Sequence, residues 1–177
     1  MSVLWIFGYG SLIWDPGFPV AEQVIGTVHG FRRSFCMRSI HHRGTETVPG
    51  LVLALDMAEG GTCQGVALRV TSGAEAETLE YLRARELVSA AYKEATCAVS
   101  LSDGRDVEAT TFVIDREHPQ YVRDLSLEDQ AVIIAQSVGG RGPNSEYLWN
   151  TAAHLEALGI GDADLSWLST RVKTILQ

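Results

Sequence analysis

The chain has 177 residues, of which 14 are Lys or Arg and 22 are Asp or Glu, so its formal net charge at pH 7 is −8. This length predicts a single domain over residues 1–177 with a substantial core, and the negative charge argues against nucleic acid and anionic membranes as partners. The first residues carry no positive charge and no stretch approaches the roughly 20 apolar residues that span a bilayer, so we expect a cytoplasmic protein.

The first predicted element is a buried strand that ends in a glycine-rich loop. The strand-forming run Val3 to Phe7 is followed by Gly8-Tyr9-Gly10-Ser11. Two glycines around one tyrosine let the backbone turn tightly and bring its N–H groups close to an anion or a carbonyl oxygen. A tight turn without a ligand explains the same residues, so the loop alone does not identify a binding site.

Strands predominate in the first seventy residues. After a turn at Asp15 to Pro19, a long strand is predicted over Val24 to Cys36. Two further strands are predicted over Gly50 to Leu55 and Gly65 to Val70, joined by a hairpin at Glu59 to Thr62.

The remainder of the chain is predicted to contain two strands and four helices. A helix from Ala74 to about Val88 precedes the strands Tyr92 to Leu101 and Asp106 to Ile114, which meet at a tight turn at Asp103-Gly104. The other helices are Ala131 to Val138 after a capping box at Ser126, one from Pro143 that ends at Gly159, and Leu165 to Ile175. Without regular β-α-β alternation, this order predicts an α+β fold, a bent, mainly antiparallel sheet or partial barrel with helices packed around it.

Glu86 is the strongest candidate for a catalytic group. It shares a helix face with Leu79 and Leu82, at a position where another leucine is expected. Burial and a place near the negative end of a helix both favour the protonated form of a carboxyl group, which suits it to acid/base chemistry near neutral pH. An ion pair with Arg83 or Arg85 at the surface is the alternative, and by pattern alone it is the commoner one.

Two further residues are candidates for substrate contacts. Tyr147 lies in the first turn of its helix, where a phenol can hydrogen-bond a ligand, although an aromatic residue at this spacing more often belongs to the core. The basic run from Arg32 to Arg43 is typical of the solvated face of a strand and its hairpin, and Arg43 is a candidate for binding a substrate carboxylate.

No metal or cofactor motif is visible in the sequence. Cys36, Cys63 and Cys97 are far apart without zinc-ligand spacing and are predicted to be reduced and buried, while the adjacent His41 and His42 point to opposite sides of an extended chain. The opening loop lacks the Lys-Ser/Thr of a phosphate-binding loop and the third glycine of a dinucleotide fingerprint. It also lacks the last glycine of a nucleophile elbow.

Six motifs nevertheless form a recognisable series. They are F-G-Y-G-S-L-I-W-D-P-G-F (7–18), F-R-R-S-F-C (31–36), H-R-G-T (42–45), P-G-L-V-L-A-L (49–55), Y-L-x-x-R-E (81–86) followed by Tyr92, and N-S-E-Y-L (144–148). In this order the chain resembles the ChaC-like γ-glutamylcyclotransferases, the glutathione-specific branch of that superfamily. The resemblance extends from Phe7 to about Leu168.

The resemblance implies a small mixed, mainly antiparallel β-barrel flanked by helices, and cleavage of glutathione into 5-oxoproline and Cys-Gly with no cofactor or metal. By position it assigns the acid/base role to Glu86 and a place lining the site to Tyr147. It assigns binding of the γ-glutamyl group to the loop residues Gly8, Tyr9, Gly10, Ser11, Leu12 and Ile13. One departure is that the family often has a glycine between this glutamate and the following tyrosine, where this chain has the run 87–91.

Three other functions fit the same residues. A related cyclotransferase would act on other γ-glutamyl peptides or γ-glutamyl amines and would differ only in what recognises the leaving half. A non-catalytic γ-glutamyl-binding module would keep the fold without turnover. A serine hydrolase would use Ser11 with His41 or His42. The oligomeric state and the groups that hold the Cys-Gly half are left open.

Overall fold

The computed structural model describes residues 3–87 and 90–177. These residues form two compact units. One comprises the chain up to Ser34 together with Ala54–His118, and the other comprises Phe35–Leu53 and Pro119–Gln177. The assignment of the whole chain to one domain stays a prediction.

A closed barrel of five strands is the main β-structure. Its strands are β1 (Trp5–Gly8), β2 (Val20–Ser39), β3 (Gly50–Val70), β4 (Tyr92–Leu101) and β5 (Asp106–Ile114), in the order β1-β3-β2-β4-β5 with a further pairing of β3 and β5. Strand β1 is antiparallel to β3, β2 to β4, and β4 to β5, whereas β5 is parallel to β1 and β3. The predicted α+β class and mainly antiparallel barrel are therefore confirmed.

The hairpin predicted at Glu59 to Thr62 is wrong. Strand β3 continues from Gly50 to Val70. Gly60 has φ +74°, which a residue with a side chain rarely adopts, and a Cβ at Gly61 would lie 2.9 Å from the Cβ of Ala58. These glycines therefore bend the strand without reversing it, as in a β-bulge.

Apolar side chains from β1 to β5 pack as one cluster in the first unit. It includes Trp5, Phe7, Val28 and Leu55, and also the thiol of Cys63, with Cys97 packed against it. None of the three cysteines, all within the described residues, forms a disulfide. Cys36 and Cys63 are buried as predicted, whereas Cys97 is only half-buried.

The stability of this unit should depend on the proton of Cys97. Burial, together with the neighbouring Cys63, raises the pKa of the Cys97 thiol from about 9 to about 11. The folded state thus holds this proton more tightly than the unfolded chain, so the resulting stabilisation is complete below about pH 9 and is lost as the pH rises to about 11.

We expect the difference in unfolding free energy between wild type and Cys97→Ala to shrink by about 2 kcal/mol between pH 9 and pH 11. Urea unfolding of both proteins at each pH measures the two free energies. Groups that both proteins share titrate equally in each, so their contribution cancels when the two free energies are subtracted. A difference that stays constant over this range would contradict the expectation.

In the first unit, the helix predicted from Ala74 and the turn at Asp103-Gly104 are confirmed, whereas a short helix directly after β1 was not predicted. A short helix, α1 (Ser11–Trp14), follows β1, and α2 (Glu75–Glu86) occupies most of the helix predicted from Ala74. The predicted end of that helix, Val88, lies outside the described residues. Strands β4 and β5 have the predicted bounds, and the turn between them contains Gly104 at φ +93°.

Three helices and a two-stranded sheet belong to the second unit. They are α3 (Leu127–Gln136), β6 (Val138–Gly139), β7 (Gly142–Pro143), α4 (Asn144–Ala157) and α5 (Ala163–Ile175). Ser126 caps α3 by accepting a hydrogen bond from the Asp129 N–H at 3.1 Å, so this helix begins four residues earlier than predicted. Gly159, at φ +75°, follows the end of α4 as expected. No helix within the described residues is both long and apolar enough to cross a membrane.

Candidate functional site

Buried side chains hold the loop after β1 in place. Tyr9, Leu12 and Ile13 are each less than 10% exposed, and the Tyr9 hydroxyl donates a hydrogen bond to the Phe112 carbonyl at 2.6 Å. A Cβ at Gly8 would lie 3.1 Å from the Cβ of Leu12, so a glycine keeps this turn tight. Buried side chains and a hydrogen bond thus anchor the loop to the barrel.

The backbone of the loop turns directly into α1. Gly10 precedes the helix, and its carbonyl accepts a hydrogen bond from the Ile13 N–H at 3.0 Å. The Asp15 N–H donates to the Ser11 carbonyl at 2.7 Å, which closes the short helix. The Ile13 N–H is the first to donate a hydrogen bond within the helix. The N–H groups before it, those of Gly10, Ser11 and Leu12, are therefore the donors that this turn can offer to a ligand.

An arginine supports the loop from β2. Arg33 donates through Nη1 to the Tyr9 carbonyl at 3.0 Å and to the Gln64 carbonyl at 2.9 Å. The prediction that the basic run is a solvated face is therefore wrong for Arg33, which is half-buried, and for Arg43, which is buried. It is right for Arg32 and Arg38, which are exposed.

Glu86 is the last residue of α2, and its side chain is only 17% exposed. Its Oε1 lies 3.5 Å from Nε of Arg85, whose side chain is 7% exposed. The predicted ion pair of Glu86 with Arg85 is therefore confirmed. Its predicted place at the surface is wrong, because both side chains are largely shielded from water. Arg83 pairs instead with Glu94 through two hydrogen bonds, which hold the pKa of the Glu94 carboxyl below its usual range.

Arg85 is a residue that the sequence analysis missed as part of the site. Its Nη2 donates to Ser11 Oγ at 3.1 Å. Its Nη1 donates to the carbonyls of Asp15 at 2.6 Å and Pro16 at 3.2 Å, and to the Tyr81 hydroxyl at 3.1 Å. Its position directly before Glu86 was the available signal. The structure thus connects the loop and the candidate acid through one side chain.

Tyr147 and Arg43 lie together in the second unit. The Tyr147 hydroxyl accepts a hydrogen bond from the Leu53 N–H at 3.1 Å, and its ring meets Phe35 edge-on with 6.0 Å between centroids. The Arg43 guanidinium carbon lies 5.8 Å from the Tyr147 ring centroid, and Nη1 donates to the Pro143 carbonyl at 3.0 Å. Burial lowers the pKa of Arg43, an effect that the nearby Glu146 carboxylate opposes. Both candidates therefore have structural contacts of their own.

Close backbone contacts explain two of the sequence motifs in this unit. The N–H groups of Gly140 and Arg141 donate to the carbonyls of His41 and His42 at 2.7 and 2.9 Å. A Cβ at Gly44 would collide with the backbone of residues 49–50, and a Cβ at Gly139 would lie 2.5 Å from the Arg43 nitrogen. A Cβ at Gly50 would collide with the Arg43 carbonyl oxygen, so the glycines of H-R-G-T and P-G allow backbone segments to approach one another directly.

The asparagine of N-S-E-Y-L is also structural. Asn144 is fully buried at the start of α4, where its Oδ1 accepts from the Leu51 N–H and its Nδ2 donates to the Leu51 carbonyl, both at 2.8 Å. The side-chain amide thus pairs with a strand residue as a backbone peptide group would. This fixes the start of the helix that carries Tyr147.

Comparison with known proteins gives a consistent set of relatives. The family model described as ChaC-like protein matches residues 4–175. A protein of Escherichia coli strain K12 named glutathione-specific gamma-glutamylcyclotransferase is 39% identical over 173 residues, which are 98% of this chain and 74% of the relative. Gamma-glutamylcyclotransferase 2-3 of Arabidopsis thaliana is 33% identical over 98% of this chain and 90% of its own length.

A solved structure shares the fold over the same extent. It is the crystal structure of a gamma-glutamyl cyclotransferase specific to glutathione from yeast, with a TM-score of 0.89 over 98% of this chain and 97% of the yeast chain. The two sequences are 24% identical, so this likeness establishes the fold.

Proposed function

The chain belongs to the ChaC-like protein family, and from this membership we propose that it is a γ-glutamylcyclotransferase whose substrate is glutathione. The observation that carries the proposal is a largely buried carboxyl group, Glu86, tied through Arg85 to the loop that the family motif assigns to the γ-glutamyl group. The 39% identity to the Escherichia coli relative over nearly the whole chain supports glutathione as the substrate.

The reaction needs only the substrate's own nucleophile. The α-amine of the γ-glutamyl group attacks the side-chain amide carbonyl, so the new N–C bond closes a five-membered lactam. The bond from that carbonyl carbon to the cysteinyl nitrogen then breaks, which releases 5-oxoproline and Cys-Gly. Holding the amine and the carbonyl close together supplies much of the rate enhancement in a reaction of this kind.

The proposed role of the loop is to hold the folded-back γ-glutamyl group. The N–H groups of Gly10, Ser11 and Leu12 would bind the substrate α-carboxylate or the oxyanion that develops during attack. Gly8, Tyr9 and Ile13 belong to the same binding segment and fix its backbone. The buried anchors of this segment favour such a role, because an oxyanion site is effective only when its donors are already in place.

Glu86 is the proposed acid/base. It would take a proton from the α-nitrogen of the substrate and return one to the leaving cysteinyl nitrogen, ending in its initial state. The remaining protons of the α-ammonium and of the released amine exchange with solvent. The small exposed fraction of Glu86 supports this role, because a carboxyl group largely shielded from water exchanges protons with the bound substrate and less with solvent.

Arg43 and Tyr147 remain proposed substrate contacts. If Arg43 binds a substrate carboxylate, Arg43→Met should raise KM for glutathione about tenfold with kcat nearly unchanged, because this contact is equal in the ground and transition states. Steady-state kinetics of the folded variant measures both constants. An unchanged KM would leave Arg43 with only its structural contacts to Pro143 and Tyr147.

We also propose a cytoplasmic location and no nucleic-acid or membrane partner. The net charge of −8 disfavours phosphate backbones and anionic surfaces, and cysteines without disulfides are usual in a reducing compartment.

The test of the proposed function is 5-oxoproline release by the purified chain from reduced glutathione, γ-Glu-Ala and γ-glutamyl-ε-lysine. We expect product from glutathione alone. Product mainly from another substrate would keep the chemistry and replace the substrate. No product from any of them, with binding of glutathione retained, would favour a non-catalytic γ-glutamyl-binding module.

A further inference from the structure

Arg85 uses all three of its guanidinium nitrogens to connect two parts of the proposed site. Nε faces Glu86, Nη2 donates to Ser11 Oγ, and Nη1 reaches the two carbonyls that follow α1 and the Tyr81 hydroxyl. We infer that Arg85 is a positioning residue, one that fixes the proton-transfer group against the γ-glutamyl-binding loop without touching the reacting atoms. The inference rests on the proposed function.

The position of Glu86 at the end of its helix gives such an anchor a role beyond the backbone hydrogen bond from the Leu87 N–H to the Arg83 carbonyl. Glu86 is the last residue of α2, and the final turn of a helix frays unless its backbone is held. Arg85 is its immediate neighbour, so contacts of the Arg85 side chain restrain the backbone from which Glu86 projects. The guanidinium group is planar and rigid, so its hydrogen bonds fix the distance and the angle between the loop and the end of α2. The ammonium group of a lysine, on a flexible side chain, does not fix them.

The turn after α1 is shaped to receive this side chain. Gly17 has φ +75°, and a Cβ there would collide with the Tyr81 hydroxyl and lie 2.7 Å from Tyr81 Cζ. Tyr81 is one helical turn before Arg85 and shares a hydrogen bond with it. The glycine thus allows the segment that contains Asp15 and Pro16 to approach α2, where both carbonyls accept from Arg85.

Arg83 provides the matched control. It lies two residues earlier in the same helix and also pairs with a carboxylate, here through two hydrogen bonds to Glu94 on β4, but its side chain is 51% exposed. Substitution of Arg83 by Met therefore removes the same charge and an ion pair with a carboxylate from α2, while leaving the contacts of Arg85 with the loop intact.

The experiment compares Arg85→Met, Arg85→Lys and Arg83→Met with wild type. For glutathione we expect Arg85→Met to lower kcat about 100-fold, since a misplacement of about 1 Å costs this much, with a smaller change in KM. Arg85→Lys should recover part of the loss, because lysine keeps the charge but not the fork. Arg83→Met should stay within about twofold of wild type, as expected for an exposed ion pair.

Hydrogen exchange gives a readout that does not depend on turnover. The amides of residues 10–17 should exchange at least about tenfold faster in Arg85→Met than in wild type or Arg83→Met, because a lost anchor permits local opening. If Arg85→Met does not fold, Arg85→Lys serves for both measurements, with smaller effects in the same direction.

The outcomes separate this inference from the proposed function. If the wild type is active and folded Arg85→Met has kcat and loop exchange rates within about threefold of the wild-type values, the positioning role is overturned. The proposed function is then kept. A lower melting temperature with kcat of the folded fraction unchanged would also overturn the positioning role. A wild type that forms no 5-oxoproline would refute the proposed function, and faster loop exchange in Arg85→Met would then still support the anchor.

Discussion

Replacement of Glu86 by Gln is expected to lower kcat for 5-oxoproline formation by about 10³-fold, with KM for glutathione changed less than about threefold. Glutamine has the size of glutamate and an oxygen that can still accept from Arg85, so packing and the contact with Nε are kept. What it lacks is the ability to take and return a proton. The loss should therefore appear in the chemical step, which single-turnover measurements with excess enzyme resolve from binding.

Glu94→Gln is the control for this substitution. Glu94 is also a carboxylate held by an arginine, with a side chain that is 32% exposed, but its partner is Arg83 and not the loop-bound Arg85. We expect its kcat within about twofold of wild type. If Glu86→Gln retained more than about a tenth of the wild-type kcat, the acid/base role would have to be given to another group.

The second large effect is on stability. Asn144→Ala is expected to lower the free energy of unfolding by about 3 kcal/mol, because it leaves both the N–H and the carbonyl of Leu51 without their side-chain partner in a buried position. Urea unfolding followed by circular dichroism measures the change. Asn144→Asp keeps the shape and the acceptor but loses the donor, so it should also destabilise the fold.

Asn150→Ala is the matched control, since Asn150 belongs to the same helix and is only half-buried. A change within about 0.5 kcal/mol is expected there, as for most substitutions away from the core. Equal effects of the two alanine substitutions would show that helix propensity, and not the paired amide, accounts for the loss.

Regular elements with a clear period could be predicted from the sequence. Strands β4 and β5 and the turn at Gly104 are confirmed, because alternating side chains and a glycine that requires positive φ are local signals. The error in β3 has a local cause as well. Two adjacent glycines fit a reversal and a bend equally well, and only the pairing of the strand with its neighbours distinguishes them.

The polar contacts of the site could not be predicted in the same way. Arg85 and Asn144 make long-range bonds to backbone groups, 70 and 93 residues away in the chain for Asp15 and Leu51. Such bonds leave no periodic pattern, because any residue can supply a carbonyl or an N–H. Glu86 could be proposed as a site residue because a carboxyl group in an apolar stripe departs from a pattern, whereas an arginine near a helix end agrees with one.

The use of backbone acceptors has an evolutionary consequence. Arg33 bonds to the carbonyl of Gln64 and Arg85 to the carbonyl of Asp15, so neither bond depends on the acceptor's side chain. These two bonds therefore place no restriction on the side chains of Gln64 and Asp15, whereas each donor must be an arginine to make its full set of contacts. Sequence drift in this enzyme should therefore be asymmetric, with variable residues facing invariant ones across the same hydrogen bonds.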